Sequence, residues 1–295
     1  MLAFWSVFNF FLFGSAASFA LASAGRITEG YREGRDDADL LHRLSAPSRC
    51  GSCGTRLSPS DLVPVFSCLA LRGRCRHCGV FFGFRPLAVE FVFGVAGILT
   101  AWFLFPLWEI FDPWRMTGAS VSFASLCGFL FISAFTDLKT GYVWDFSGLW
   151  CALSAGCLLL IAGEGTHLVV FCVSGWIVFL TAMTGKAGYG DAAPLSAALS
   201  ASLCSFSAHP FSPESISIYS LFIFSMSVSG ILHAVLLRCR DRRVIRRKAF
   251  VKDGSSAEGA PGSAGGFRIP LVPHIVTAFV ITTGASIATG GTPPF

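Results

Sequence analysis

The sequence predicts an all-α polytopic membrane protein of about eight transmembrane helices, with a small zinc-bound cytoplasmic loop domain between the first two. Three observations carry this. Hydrophobic residues make up 53% of the 295 and charged residues only 13%, with a mean hydropathy of +0.65, far too apolar for an ordinary soluble domain. Uncharged runs recur at about the 20-residue length a helix needs to cross hydrocarbon. The Lys and Arg residues collect in two loops instead of spreading along the chain, as the positive-inside rule requires of cytoplasmic segments.

The first apolar run covers 2–24. Ala22-Ser23-Ala24 resembles a signal cleavage site, but no basic residue precedes the run and the arginines follow it. A retained span with its N-terminus outside is therefore expected. Residues 25–85 are Arg-rich and form the first cytoplasmic loop domain. Further spans are expected at 86–107, 118–136, 147–163, 167–184, 192–208 and 216–237, so that 86–237 is a transmembrane core. Residues 238–270 combine a basic run with a flexible Gly/Ser linker, and the last span lies at 271–290, within 271–295. The basic run reads as a lipid-facing topogenic patch; no nucleic-acid partner is expected. No internal repeat is evident. Counting alternately through the spans puts 25–85, 137–146, 185–191 and 238–270 on one face, the cytoplasmic side of the inner membrane.

Eleven cysteines are present. Seven are scattered through apolar or adjoining segments and read as small hydrophobes. The other four form Cys50-Gly-Ser-Cys53 and Cys75-Arg-His-Cys78 in the first loop. Two such pairs about 20 residues apart match a four-thiolate zinc site. A strand-like segment is expected to bring the pairs together, and a reducing cytoplasm favours metal over disulfides. A closed four-thiolate site is structural, so this zinc is assigned a folding role. His77, between two ligands, reads as a bystander.

Asp137, in Phe-Thr-Asp-Leu-Lys, and Asp191, in Gly188-Tyr-Gly190-Asp, each end an apolar run. A carboxylate beside hydrocarbon needs compensation, which makes it a functional candidate. Each alone reads equally as a helix cap or an interfacial charge facing water. Together, on one face and with glycines that allow close approach, they read as a catalytic pair. Two close carboxylates cannot both ionise easily, so one activates water while its protonated partner polarises a scissile carbonyl. Asp145 lies in the same loop as Asp137 and reads as a cap, an orienting group or a solvent-facing residue. The six histidines show no metal-ligand spacing, and there is neither a Gly-x-Ser-x-Gly turn nor a Walker-type phosphate loop.

The stretch from Asp61-Leu-Val-Pro to Arg74-Cys-Arg-His-Cys-Gly79, with Pro86-Leu-Ala-Val-Glu90, Gly188-Tyr-Gly-Asp191 and Arg268-Ile-Pro-Leu-Val-Pro273, resembles the type IV prepilin peptidase family. The resemblance covers most of the chain. It implies a GxGD-type aspartic membrane endopeptidase with Asp137 and Asp191 catalytic and Gly188, Gly190 and Asp145 supporting. The expected reaction is cleavage of a positively charged leader from prepilin or pseudopilin precursors. N-methylation of the new terminus from S-adenosylmethionine follows from the family alone. Glu90 and the loop arginines are candidates to hold the leader or the new terminus. The chain departs from the family where Ala17-Ser-Phe-Ala-Leu21 lacks an asparagine, where Trp144 replaces a proline, and where Ala193 and Pro194 follow in place of a lysine. The missing lysine and asparagine motivate one alternative, a degenerate member that only methylates or binds; a second is a non-enzymatic zinc-containing membrane scaffold or transporter, in which the acids are ion-path or capping residues.

Overall fold

Helices form wherever the described chain is apolar over a long run. The computed structural model describes residues 2–34, 37–104, 113–162, 220–229 and 272–289, with isolated positions at 172–173, 176, 180, 194–195, 197–198 and 231–232. Among these residues there are helices and two isolated β-bridges, and no strand. In chain order the helices are α1 (Leu2–Arg32), α2 (Asp37–Ser45), a 3₁₀ turn (Pro59–Leu62), α3 (Phe66–Ala70), α4 (Arg85–Leu104), α5 (Pro113–Thr140), α6 (Asp145–Ala162), α7 (Ser220–Ser229) and α8 (Val272–Thr289). α1, α5 and the Arg85–Trp102 part of α4 are long and apolar enough to cross a membrane. The expected spans at 167–184 and 192–208 fall almost wholly outside the described residues.

α5 organises the bundle. Phe13 packs on Phe123 and Phe19 on Phe129, so α1 and α5 run the same way. α6 returns along α5, with hydroxyl pairs Ser125–Ser154 (2.9 Å) and Ser133–Ser147 (2.8 Å) bridging the interface; such pairs satisfy polar groups without opening the apolar packing. α4 runs against α1 at very short range, because Gly97 abuts the Asn9 carbonyl and Gly94 the Phe10 ring. These relative directions match alternate crossing of a bilayer. The largest core cluster joins Leu126 and Leu130 of α5, Cys151 and Ala155 of α6, Phe222 of α7 and Ile275 and Phe279 of α8.

α5 runs from Pro113 to Thr140 where a span at 118–136 was expected, and two further departures have identifiable partners. α1 continues eight residues beyond position 24, because its extension has something to pack against. Arg26 donates to the carbonyls of Arg43, Leu44 and Ala46 at 3.3, 3.2 and 2.9 Å, and Ile27 shares a core with Leu40 and Trp144. The segment between the cysteine pairs is not strand-like. Proline starts a 3₁₀ turn at Pro59, Asp61 Oδ2 accepts from the Ser58 amide (3.1 Å) and hydroxyl (2.7 Å), and the short helix α3 follows.

Candidate metal centre and active site

The two cysteine motifs fold into near-copies of one knuckle. In the first, Arg49 bridges Arg56, the Cys50 amide donates to Thr55 O (2.9 Å) and the Gly54 amide to Cys50 O (2.9 Å). In the second, Arg74 bridges Phe81, the Cys75 amide donates to Val80 O (2.9 Å) and the Gly79 amide to Cys75 O (3.0 Å). Gly54 and Gly79 hold φ of 69° and 68°, a left-handed turn that disfavours a side chain. Even the leading arginines match: Arg49 Nη1 reaches Gly54 O (3.3 Å) and Arg74 Nη1 reaches Gly79 O (3.4 Å). The shared Arg-Cys-x-x-Cys-Gly string is thus a short structural repeat, which a search for longer periods passes over.

The knuckles face one another. All four Sγ atoms lie within 4.8 Å of each other, with Cys50–Cys78 at 3.9 Å and Cys53–Cys75 at 4.0 Å. A disulfide needs about 2.05 Å. Four sulfurs about 2.3 Å from a tetrahedral zinc stand about 3.8 Å apart, so the cluster fits that ion. The thiols are poised unequally. The Thr55 hydroxyl, then its backbone, hold Cys53 down at about 6. Backbone bonds from Cys78 and His77 lower Cys75. The Val80 backbone pulls Cys78 down, but desolvation and its three sulfur neighbours outweigh that and push it up to about 11. Four sulfurs this close cannot all ionise without a cation among them. His77 is exposed, in keeping with a bystander.

Asp137 sits in the last turns of α5 and is only 6% exposed. Its Oδ2 accepts from the backbone amide of Val272 at 3.0 Å. That amide is one of the donors that the first turn of a helix leaves unpaired, so Asp137 caps α8 from 135 positions away. Gly141, at φ 72°, ends α5 just beyond. Asp145 opens α6 and is exposed. Glu90 is 6% exposed, and its Oε2 accepts from the Val65 amide at 2.7 Å. Gly188, Gly190 and Asp191 lie outside the described residues. The Val272 amide is a functional group that sequence reasoning did not reach, since no local pattern links it to Asp137. An open recess of about 300 Å³ at the ends of α1 and α5 is lined by Tyr31, Arg32, Lys139, Thr140 and Tyr142.

Residues 14–104 match the bacterial peptidase A24 N-terminal domain. Among curated relatives, a prepilin leader peptidase/N-methyltransferase of Burkholderia pseudomallei (strain 1026b) is 32% identical over 173 residues, covering 53% of this chain and 51% of the relative. Proteins of the same description from Neisseria gonorrhoeae (25% identical, 69% and 67% covered) and Dichelobacter nodosus (26%, 65% and 63%) also match. The chain thus spans about half the length of the Burkholderia relatives it matches. No solved structure matches.

Proposed function

We propose that the chain, similar to the bacterial peptidase A24 N-terminal domain and to curated prepilin leader peptidases/N-methyltransferases, is a membrane aspartic endopeptidase of the type IV prepilin peptidase family. It cleaves the leader of prepilin or pseudopilin-like precursors at the cytoplasmic membrane face, with Asp137 and Asp191 as the catalytic pair. The observation that carries this reading is Asp137 itself. It is a buried carboxylate in the last turns of a span-length helix, and a backbone amide orients it. In the proposed step the ionised acid of the pair takes a proton from water as that water attacks the scissile carbonyl. The protonated acid polarises the carbonyl oxygen and then supplies the proton the leaving amine needs. Gly188 and Gly190 let the second acid approach, and Asp145 supports the loop between α5 and α6.

Cys50, Cys53, Cys75 and Cys78 hold a structural zinc that closes the loop domain. N-methylation of the new terminus is the second activity the family implies. Its donor, S-adenosylmethionine, carries a sulfonium cation, and the recess lined by Arg32 and Lys139 is a poor fit for it; no methyl-transfer step is derived there. The test is in vitro cleavage of a prepilin by wild type, Asp137→Asn and Asp191→Asn in lipid. Both variants are expected to insert, fold and lose cleavage. Full cleavage by both would remove the pair from the mechanism.

A further inference from the structure

We propose that residues 62–70 form a re-entrant segment that dips into the membrane hydrocarbon from the cytoplasmic side, with Glu90 as its internal cap. This is independent of the catalytic reading. The first argument is depth. Pro64 packs on Gly14 of α1, and Phe66 stacks on Phe11 with ring centroids 5.7 Å apart. Gly14 precedes Arg26, the first charge on α1, by twelve residues, about 18 Å at helical rise, and the hydrocarbon layer is about 30 Å thick. A second register agrees: neighbouring positions of α1 contact Phe123 and Gly128, which lie in the middle of α5's apolar run.

Surface chemistry gives the second argument. Leu62, Val63, Phe66 and Leu69 are 40–55% exposed. Their patch continues into the outer surface of the bundle through ring contacts from Phe66 to Phe11, Phe11 to Phe10 and Phe10 to Phe91. Phe91 is itself 53% exposed on α4. Beyond the segment, Arg72 and Arg85 are exposed, placed to reach anionic headgroups.

The third argument is backbone satisfaction. Irregular backbone survives at membrane depth only if its polar groups are paired. Pro64 has no amide. Val65 donates to Glu90 Oε2 at 2.7 Å, Phe66 to Pro64 O at 2.6 Å, and Ser67 to Val63 O at 3.0 Å. This pattern is a γ-turn centred on Val65 at φ 64°, ψ −53°, a conformation that is rare and strained and unusual for a β-branched residue. A buried carboxylate and a strained turn would both be needless in a loop exposed to water. At this depth they leave none of these four positions with an unpaired amide.

The test places p-benzoylphenylalanine at position 66, 69 or 56 of the full-length protein in phosphatidylethanolamine/phosphatidylglycerol nanodiscs, irradiates, and reads adducts by mass spectrometry. Phospholipid adducts are expected at 66 and 69 and absent at 56, in the first knuckle. Adducts at 66 only to protein, or none, or equal lipid adducts at 56, would overturn the segment's placement. Glu90→Gln keeps an acceptor and should retain the adduct at 66. Glu90→Leu should lose it while bound zinc stays stoichiometric, and a retained adduct there would refute the capping role.

Discussion

Replacing one cluster cysteine by serine tests whether the four sulfurs act as one metal centre. Structural zinc sites of this kind contribute about 10–16 kcal/mol at pH 7. One of four equivalent thiolates therefore accounts for about 3 kcal/mol, or about a hundredfold in affinity. Cys53→Ser and Cys78→Ser should both lose affinity, Cys78→Ser the less at pH 7 because its thiol must first shed a proton. Their proton release should differ. Zinc binds thiolate, so a thiol whose pKa lies above the working pH must shed a proton on binding, and affinity rises with pH. At pH 7, Cys53, held at about 6, is already largely ionised, whereas Cys78, raised to about 11, is not. Cys78→Ser should lower the protons released per zinc more than Cys53→Ser does. Chelator competition gives the affinity, and calorimetry in buffers of different ionisation enthalpy gives the protons. Cys68→Ser, a buried thiol outside the cluster, is the control. Equal losses in Cys68→Ser and Cys53→Ser, or a wild type whose cysteines are paired as disulfides, would refute the centre.

Two further outcomes concern packing and the loop. A Cβ at position 97 would lie 2.5 Å from the Asn9 carbonyl oxygen, whereas one at Gly156 meets nothing within 4 Å. Gly97→Ala should therefore push α1 and α4 apart and destabilise by about 1–3 kcal/mol, and Gly156→Ala should be neutral or gain up to about 1 kcal/mol, read by thermal unfolding in detergent; equal effects would contradict the close crossing. The Ser58 hydroxyl, aided by Arg76, holds the Asp61 carboxyl below the usual carboxylate range, so its contribution is present above pH about 4 and fades as pH falls through that lowered value. Asp61→Asn should cost about 1 kcal/mol of loop stability at pH 7 and progressively less in acid, followed by limited proteolysis against pH; a cost that does not shrink in acid would show that ionisation is not its source.

What could be read from the chain was whatever is local. Cys-x-x-Cys spacing identified the knuckles because the two ligands of each pair lie three residues apart. The approach of α5 to its end was visible because an apolar run stops at Asp137, about one turn before Gly141. The rest depends on partners far away in sequence. α1 runs on through Arg26 and Glu29 because α2 packs against it, a contact no helical period reveals. Residues 62–70 are too few to register as a span and too apolar to stay in water, so a loop with strand-like apolar residues was the nearest local description. The Asp137–Val272 and Glu90–Val65 bonds join positions 135 and 25 residues apart. Asp191, legible as a motif, lies outside the described residues, so its distance from Asp137 rests on the proposal.

Three of the partnered carboxylates, Asp61, Glu90 and Asp137, divide by environment, and the division bears on chemistry. Asp61, at the polar rim, takes Arg76 through Nε (2.9 Å) and Nη2 (2.7 Å) on Oδ1. Glu90 and Asp137, among apolar helices, each take a backbone amide. An arginine partner neutralises a carboxylate and fixes it as a structural tie. A backbone amide orients a carboxylate while leaving its charge in place, and it adds no competing ion to a region where ions are costly to bury. For Glu90 that suffices to hold a turn. For Asp137 it supplies a fixed direction, which a proton-transferring acid requires. The two bonds are therefore alike in construction; Asp137 lies in the last turns of its helix, where the proposed mechanism uses it, whereas Glu90 lies within the bundle against a turn.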